Sequence, residues 1–187
     1  MRIAIFASGS GSNFEALMQD ADIRQQVAVL VCDKPGAKVL ERANKFALPT
    51  VVFSARDFPD KASYEKLLLD ELSKFQVDFI VLAGYMRLLG DTMLAAFSDR
   101  IVNLHPSLLP LFPGKDAIGQ ALRAGVSVTG VTAHYVDAGM DTGQVIAQEE
   151  LKILSGETLP QLEERIHALE HRFYPAVVKK MMLKGDE

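Results

Sequence analysis

Asn103-Leu-His105-Pro106 sets an amide donor two residues before a titratable imidazole. Side chains alternate along an extended strand, so Asn103 and His105 project to the same side. Pro106 biases His105 toward extended geometry and keeps the pair aligned up to the next loop. An amide beside an imidazole can stabilise an oxyanion and donate a proton. On these residues alone, a purely structural pair reads equally well.

A second group stands near the start of the chain, where Ser8-Gly-Ser-Gly-Ser-Asn13 links an apolar run to a helical pattern. Ser12 with Glu15 three residues later predicts a capping box at the start of that helix. Free backbone N–H groups and the positive end of the helix dipole would attract an anion there, and Gly9 and Gly11 would let the backbone approach it. The guest suggested is a phosphate; the alternative is a tight turn with no ligand. Gly9-x-Gly11 also opens a dinucleotide fingerprint, with Asp33 about the right distance on to meet a ribose. Phe14 stands where the third glycine is needed, which favours a terminal monophosphate over NAD.

Three further stretches carry functional groups. Asp137-Ala-Gly-Met-Asp-Thr-Gly143 brings carboxylates into a loop that could reach the edge holding Asn103 and His105, although Asp and Gly favour a solvated turn on their own. Tyr85-Met-Arg-Leu-Leu89 reads as core packing or a cap for the next helix, or as a wall for a flat heteroaromatic ligand. His167-Ala-Leu-Glu-His171 matches a zinc-hydrolase spacing, but no third ligand motif accompanies it, so no metal is expected. His134, in a strand beside Tyr135, reads as a hydrogen-bonded, half-buried side chain.

These groups need a scaffold, and the chain supplies a regular one. Arg2–Ala7, Val27–Asp33, Thr50–Phe53, Asp78–Ala83 and Arg100–His105 read as strands that are apolar at nearly every position, with amphipathic segments between them. That pattern predicts an α/β fold with a Rossmann-like, mostly parallel sheet and helices on both faces. Val126–Val136 and Gln144–Ile153 predict a partly antiparallel C-terminal part, followed by a long C-terminal helix opening with a capping box at Thr158 and Gln161. Pro175 predicts a kink or restart near Tyr174, and Lys184-Gly-Asp-Glu187 a frayed end. One domain over 1–187 is expected, with a mononucleotide-binding half over 1–100 and a catalytic and second ligand-binding half over 101–187.

The chain is 187 residues long, 49% hydrophobic and 24% charged, with a net charge of −4 and a single cysteine, Cys32. The scattered cations argue against nucleic acid as a partner, and no apolar run approaches the length of a membrane span. A cytoplasmic protein is expected, without a signal segment, and with small molecules as its partners.

Taken together, Gly9–Asn13, Leu82-Ala-Gly-Tyr-Met-Arg87, Asn103-Leu-His-Pro-Ser-Leu-Leu-Pro110 and Asp141-Thr-Gly143 closely resemble the phosphoribosylglycinamide formyltransferases, a branch of the folate-dependent formyltransferase family. The resemblance covers essentially the whole chain. It implies formyl transfer from 10-formyltetrahydrofolate, as co-substrate, to the amine of glycinamide ribonucleotide, without metal. It implies that Asn103 and His105 stabilise the oxyanion, that His105 donates a proton, and that Asp141 keeps His105 protonated and helps relay protons through water. Gly11, Ser12 and Asn13 would hold the substrate phosphate, and Glu170 its ribose. The folate would lie along Met86, Arg87, Leu88 and Leu89, with Asn103 at its reactive end, its pterin near Asp137–Asp141 and its glutamate tail near Lys61 and Arg87. A cis Leu109–Pro110 bond and a monomer or weak homodimer are also expected. The chain departs from the family pattern at Ile118 and His167, where some members carry histidine and lysine, and at Lys61, where arginine is common. A methionyl-tRNA formyltransferase core and a non-catalytic nucleotide-binding module are the alternatives. The first carries an additional RNA-binding domain that is not expected here.

Overall fold

Ile3-Ala-Ile-Phe-Ala7 is apolar at every position because both faces of this strand are covered. Ile3, Ile5 and Ala7 pack into one hydrophobic cluster, and Ala4 and Phe6 into another on the opposite face. The computed structural model describes residues 1–184. Its strands are β1 (Ile3–Ala7), β2 (Val27–Cys32), β3 (Thr50–Val52), β4 (Phe79–Leu82), β5 (Ile101–His105), β6 (Val128–Tyr135) and β7 (Val145–Lys152). They form one seven-stranded sheet in the order β3-β2-β1-β4-β5-β6-β7. β1 to β5 pair in parallel, whereas β6 runs antiparallel to both β5 and β7. The α/β class, the mostly parallel sheet and the antiparallel C-terminal part are as the sequence predicts.

The helices are α1 (Ser12–Gln19), α2 (Ala21–Gln26), α3 (Lys38–Lys45), α4 (Lys61–Lys74), α5 (Asp91–Ala96), α6 (Ala117–Arg123) and α7 (Leu159–Lys184). Side chains of α1, α2, α3, α6 and α7 build the cluster around Ile5, and those of α4 and α5 build the one around Phe6. The strand order reverses between β1 and β4, which opens the ligand crevice of a doubly wound sheet at the carboxyl ends of these strands. Among the described residues, no helix is long and apolar enough to cross a membrane.

Two expectations about helix ends need correction. Ser12 is not an N-cap: α1 is preceded by Gly11 in a left-handed conformation (φ 75°), and no side chain among the described residues caps it. Glu15 turns away to pair with Arg42. The capping box at Thr158 does form, with Thr158 N–H donating to Gln161 Oε1 at 2.9 Å and Gln161 N–H to Thr158 Oγ at 3.4 Å. The restart expected at Pro175 does not occur, because α7 runs through it unbroken. Burial of Phe173, Tyr174, Val177 and Val178 on both sides of the proline outweighs the one hydrogen bond it removes. The Tyr174 hydroxyl, fully buried, reaches the sheet at Leu82 O (2.8 Å) and Val102 O (3.2 Å), tying α7 to β4 and β5. The fraying expected at Lys184–Glu187 lies outside the described residues apart from the end of α7.

Candidate active site

β5 delivers Asn103 and His105 to one side at its carboxyl end, and the antiparallel register sets His134 of β6 directly opposite Asn103. The loop after β6 then returns Asp141 to both. His134 Nδ1 lies 2.8 Å from Tyr135 O. A carbonyl only accepts, so Nδ1 carries the ring hydrogen, and Nε2 is left to accept from Asn103 Nδ2 at 3.3 Å. This orients the Asn103 amide. Burial of His134, at 3% exposure, pushes its imidazole below the ordinary 6.5, against weaker pulls from Tyr135 O and Asp141.

His105 is 5% exposed, and its Nε2 lies 2.9 Å from Phe112 O, so that nitrogen donates to the carbonyl. The other, Nδ1, faces Asp141 Oδ2 at 3.4 Å. Asp141 Oδ1 lies 3.7 Å from His134 Nε2, and Oδ2 accepts the Gly114 N–H at 2.7 Å. One carboxylate therefore stands between two imidazoles, anchored by a backbone donor. Asp141 itself adopts φ 56°, uncommon for a residue with a side chain.

The segment after His105 is braced from β6 and β7. Thr132 Oγ donates to Ser107 O at 2.6 Å and accepts from Leu109 N–H and Gln148 Nε2. Gln148 also donates to Leu109 O at 2.8 Å, and the Leu109–Pro110 bond is cis, as expected.

A cleft of about 430 Å³ opens beside this triad. Asn103, His105, His134 and Asp141 line its polar end; Met86, Leu88, Leu89 and Ile118 give it an apolar wall. Met86 and Leu88 are 73% and 52% exposed there, a surface suited to a flat, partly apolar ligand. Arg87 also lines the cleft, with Nε held by Asp33 Oδ2 at 2.7 Å. Lys61 does not line it; its stem lies against Gly90, just past the wall.

Gly11, Ser12, Asn13 and Glu170 gather separately, at the start of α1. A Cβ on Gly11 would fall 2.6 Å from Val39 Cγ2, so both φ and space demand glycine. With no capping side chain among the described residues, the first-turn N–H groups are open to an anion. Asn13 Nδ2 donates to Glu170 Oε2 at 3.2 Å, while Asn13 Oδ1 is buried with no partner among the described residues. Burial pushes the Glu170 carboxyl above its ordinary value, more than the Asn13 bond and His167 pull it down. Asp33, the candidate ribose contact of the dinucleotide reading, is occupied by Ser8 and Arg87. His167 is exposed, and the described residues hold no group of three or more potential metal ligands.

Sequence reasoning missed His134, Thr132 and Gln148 as parts of the site. Only the strand register brings them to Asn103 and the Ser107–Pro110 segment.

The formyl transferase family model matches residues 1–178. The chain belongs to the formyl transferase family. It is 51% identical over 184 residues to the phosphoribosylglycinamide formyltransferase of Bacillus subtilis, covering 97% of this chain and 94% of that one. Its fold matches the crystal structure of the Bacillus halodurans phosphoribosylglycinamide formyltransferase with a TM-score of 0.94 at 53% identity, over 99% of this chain and 97% of that one. The glycinamide ribonucleotide transformylase 1 of Geobacillus kaustophilus matches with a TM-score of 0.91 at 58% identity, over 96% and 97% of the two chains.

Proposed function

We propose that the chain transfers the formyl group of 10-formyltetrahydrofolate to the amine of 5′-phosphoribosylglycinamide in purine biosynthesis. The observation that carries this reading is Asn103, His105 and Asp141 converging at the polar end of an apolar-walled cleft, in a chain 51% identical over nearly its full length to an enzyme of that name. The folate supplies an activated formyl carbon, to which the substrate amine adds.

Asn103 holds an N–H toward the oxygen that becomes negative in the tetrahedral intermediate. His105 adds a second donor. Its Nε2–H is committed to Phe112 O, so Nδ1–H is the proton that serves the cleft. Asp141 stabilises the imidazolium that carries this proton and receives, through water, the proton the amine sheds. His105 Nδ1–H passes its proton to the departing folate nitrogen as the bond to the formyl carbon breaks, and the proton taken up at Asp141 then restores the imidazolium. Gly11, Ser12 and Asn13 hold the nucleotide phosphate, and Glu170 its ribose. The wall from Met86 to Leu89 seats the folate, with the pterin toward Asp137–Asp141 and the glutamate tail toward Arg87 and Lys61. The first 100 residues supply the nucleotide loop and this wall; the remainder supplies the catalytic groups and Glu170.

A steady-state assay offering glycinamide ribonucleotide and methionyl-tRNA side by side with 10-formyltetrahydrofolate tests the reading. Turnover of the ribonucleotide alone is expected. Transfer to the tRNA, or binding of the ribonucleotide without turnover, overturns it.

A further inference from the structure

β1 and β2 pair in parallel up to Ala7 and Cys32, and the chain leaves the two strands through Ser8 and Asp33. Both are buried, at 2% and 3% exposure. Ser8 Oγ donates to Asp33 Oδ1 at 2.5 Å and accepts the Met86 N–H at 2.9 Å, while Ser8 N–H donates to Gly84 O at 3.1 Å. Asp33 Oδ2 accepts Arg87 Nε–H at 2.7 Å. Ser8 is also the first residue of the loop that leads into α1. That loop is held on its far side by Val39 N–H to Gly9 O and Arg42 Nε–H to Ser10 O.

One hydroxyl and one carboxylate therefore join the loop at the start of α1 to the wall of the cleft. Every polar atom of the junction is engaged: the hydroxyl gives its one hydrogen and accepts one, and each carboxylate oxygen takes a different donor. Ser8, where this loop begins, cannot be displaced without moving Met86 or breaking a buried hydrogen bond. Coupling between sites travels through contiguous contacts of this kind.

We propose that Ser8 and Asp33 are positioning residues that couple the nucleotide and folate sites, so that each substrate binds more tightly when the other is present. This rests on the assignment of the two sites made above. Neither residue touches the reacting atoms; they act through Met86, Arg87 and the loop to Asn13. Linkage requires the enhancement to be the same factor in both directions.

The test is titration calorimetry of tetrahydrofolate under anaerobic conditions, with and without saturating glycinamide ribonucleotide; without a formyl group the mixture cannot react. In the unaltered protein the nucleotide should tighten folate binding by about fivefold or more, the lower end of common coupling factors. In Ser8→Ala the factor should fall to within about twofold of one, whatever happens to the separate affinities. Asp33→Asn should do the same, because an amide has one acceptor oxygen and cannot serve both Ser8 Oγ–H and Arg87 Nε–H. A merely structural role would lower thermal stability or scale both affinities and leave the factor intact. Absence of coupling in the unaltered protein, or its retention in either folded variant, overturns the proposal. Failure of the unaltered protein to bind either ligand alone would instead overturn the assigned function.

Discussion

The carboxylate of Asp141 faces His105 Nδ1 at 3.4 Å, longer than a firm N–H···O bond. The Gly114 N–H holds the carboxylate in place, so the imidazole meets a fixed negative charge without surrendering Nδ1 to it. This is the arrangement expected of a donor that must release its proton to the cleft.

Replacing Asp141 with Asn removes the charge and keeps the shape. Turnover should fall by roughly 100-fold to 10,000-fold, the range of a general acid–base contribution, with both substrates still bound. Single-turnover measurements would locate the loss in the chemical step; near-normal turnover would remove Asp141 from the mechanism.

Asn103→Ala should lower turnover by about 3–4 kcal/mol in activation free energy, the upper range for one oxyanion donor. The His134 bond to Asn103 adds a graded check: His134→Ala leaves the amide in place but unoriented, and should cost less than Asn103→Ala. Comparing kcat for the two variants tests this order, and equal losses would contradict it.

His134 also predicts a pH dependence of stability. Its folded-state pKa lies below the ordinary 6.5, so between those values the unfolded chain binds more protons than the native one. Stability should fall as pH drops below about 6.5 and should not depend on this group above it. His171, lowered by burial too, acts in the same direction. His134→Gln should therefore flatten the acid limb of a melting-temperature profile between about pH 8 and 5 without abolishing it, by at most about 1.4 kcal/mol per pH unit. An unchanged limb would show that His134 does not titrate as described.

Gly11→Ala should destabilise the fold by about 1–2 kcal/mol from its left-handed backbone alone, and more from the collision with Val39. Ser12→Leu and Asn13→Leu should leave stability nearer normal and mainly weaken nucleotide binding. Thermal melts paired with nucleotide titrations separate the two effects; unchanged affinity in the leucine variants would defeat the phosphate assignment.

β1, β2 and β4 were readable in the sequence because burial on both faces leaves uninterrupted apolar runs, and each predicted strand falls within two residues of the observed one at either end. The convergence of Asn103, His105 and Asp141 on one cleft was readable because their neighbours form a distinctive block. His134 was not: its role depends on lying opposite Asn103 across an antiparallel pair, a register that no local pattern encodes. Ser12 misled for a related reason. Its spacing to Glu15 fits a capping box, but Arg42, distant in sequence, draws the Glu15 carboxylate away. Pro175 predicted a kink or a restart, and packing of the flanking side chains keeps α7 continuous through it.

The Tyr174 hydroxyl lodged against Leu82 O and Val102 O has a consequence for biosynthesis. The ribosome delivers β1 to β5 well before residues 159–184, so a nascent polypeptide has its parallel strands in hand while the helix that completes the cover of one of their faces is still unmade. Glu170 arrives on that same helix, four residues before the tyrosine. Translation thus leaves the face around Ile5 and Val102, to which α1, α2, α3 and α6 already contribute, without its last helix until residues 159–184 are made.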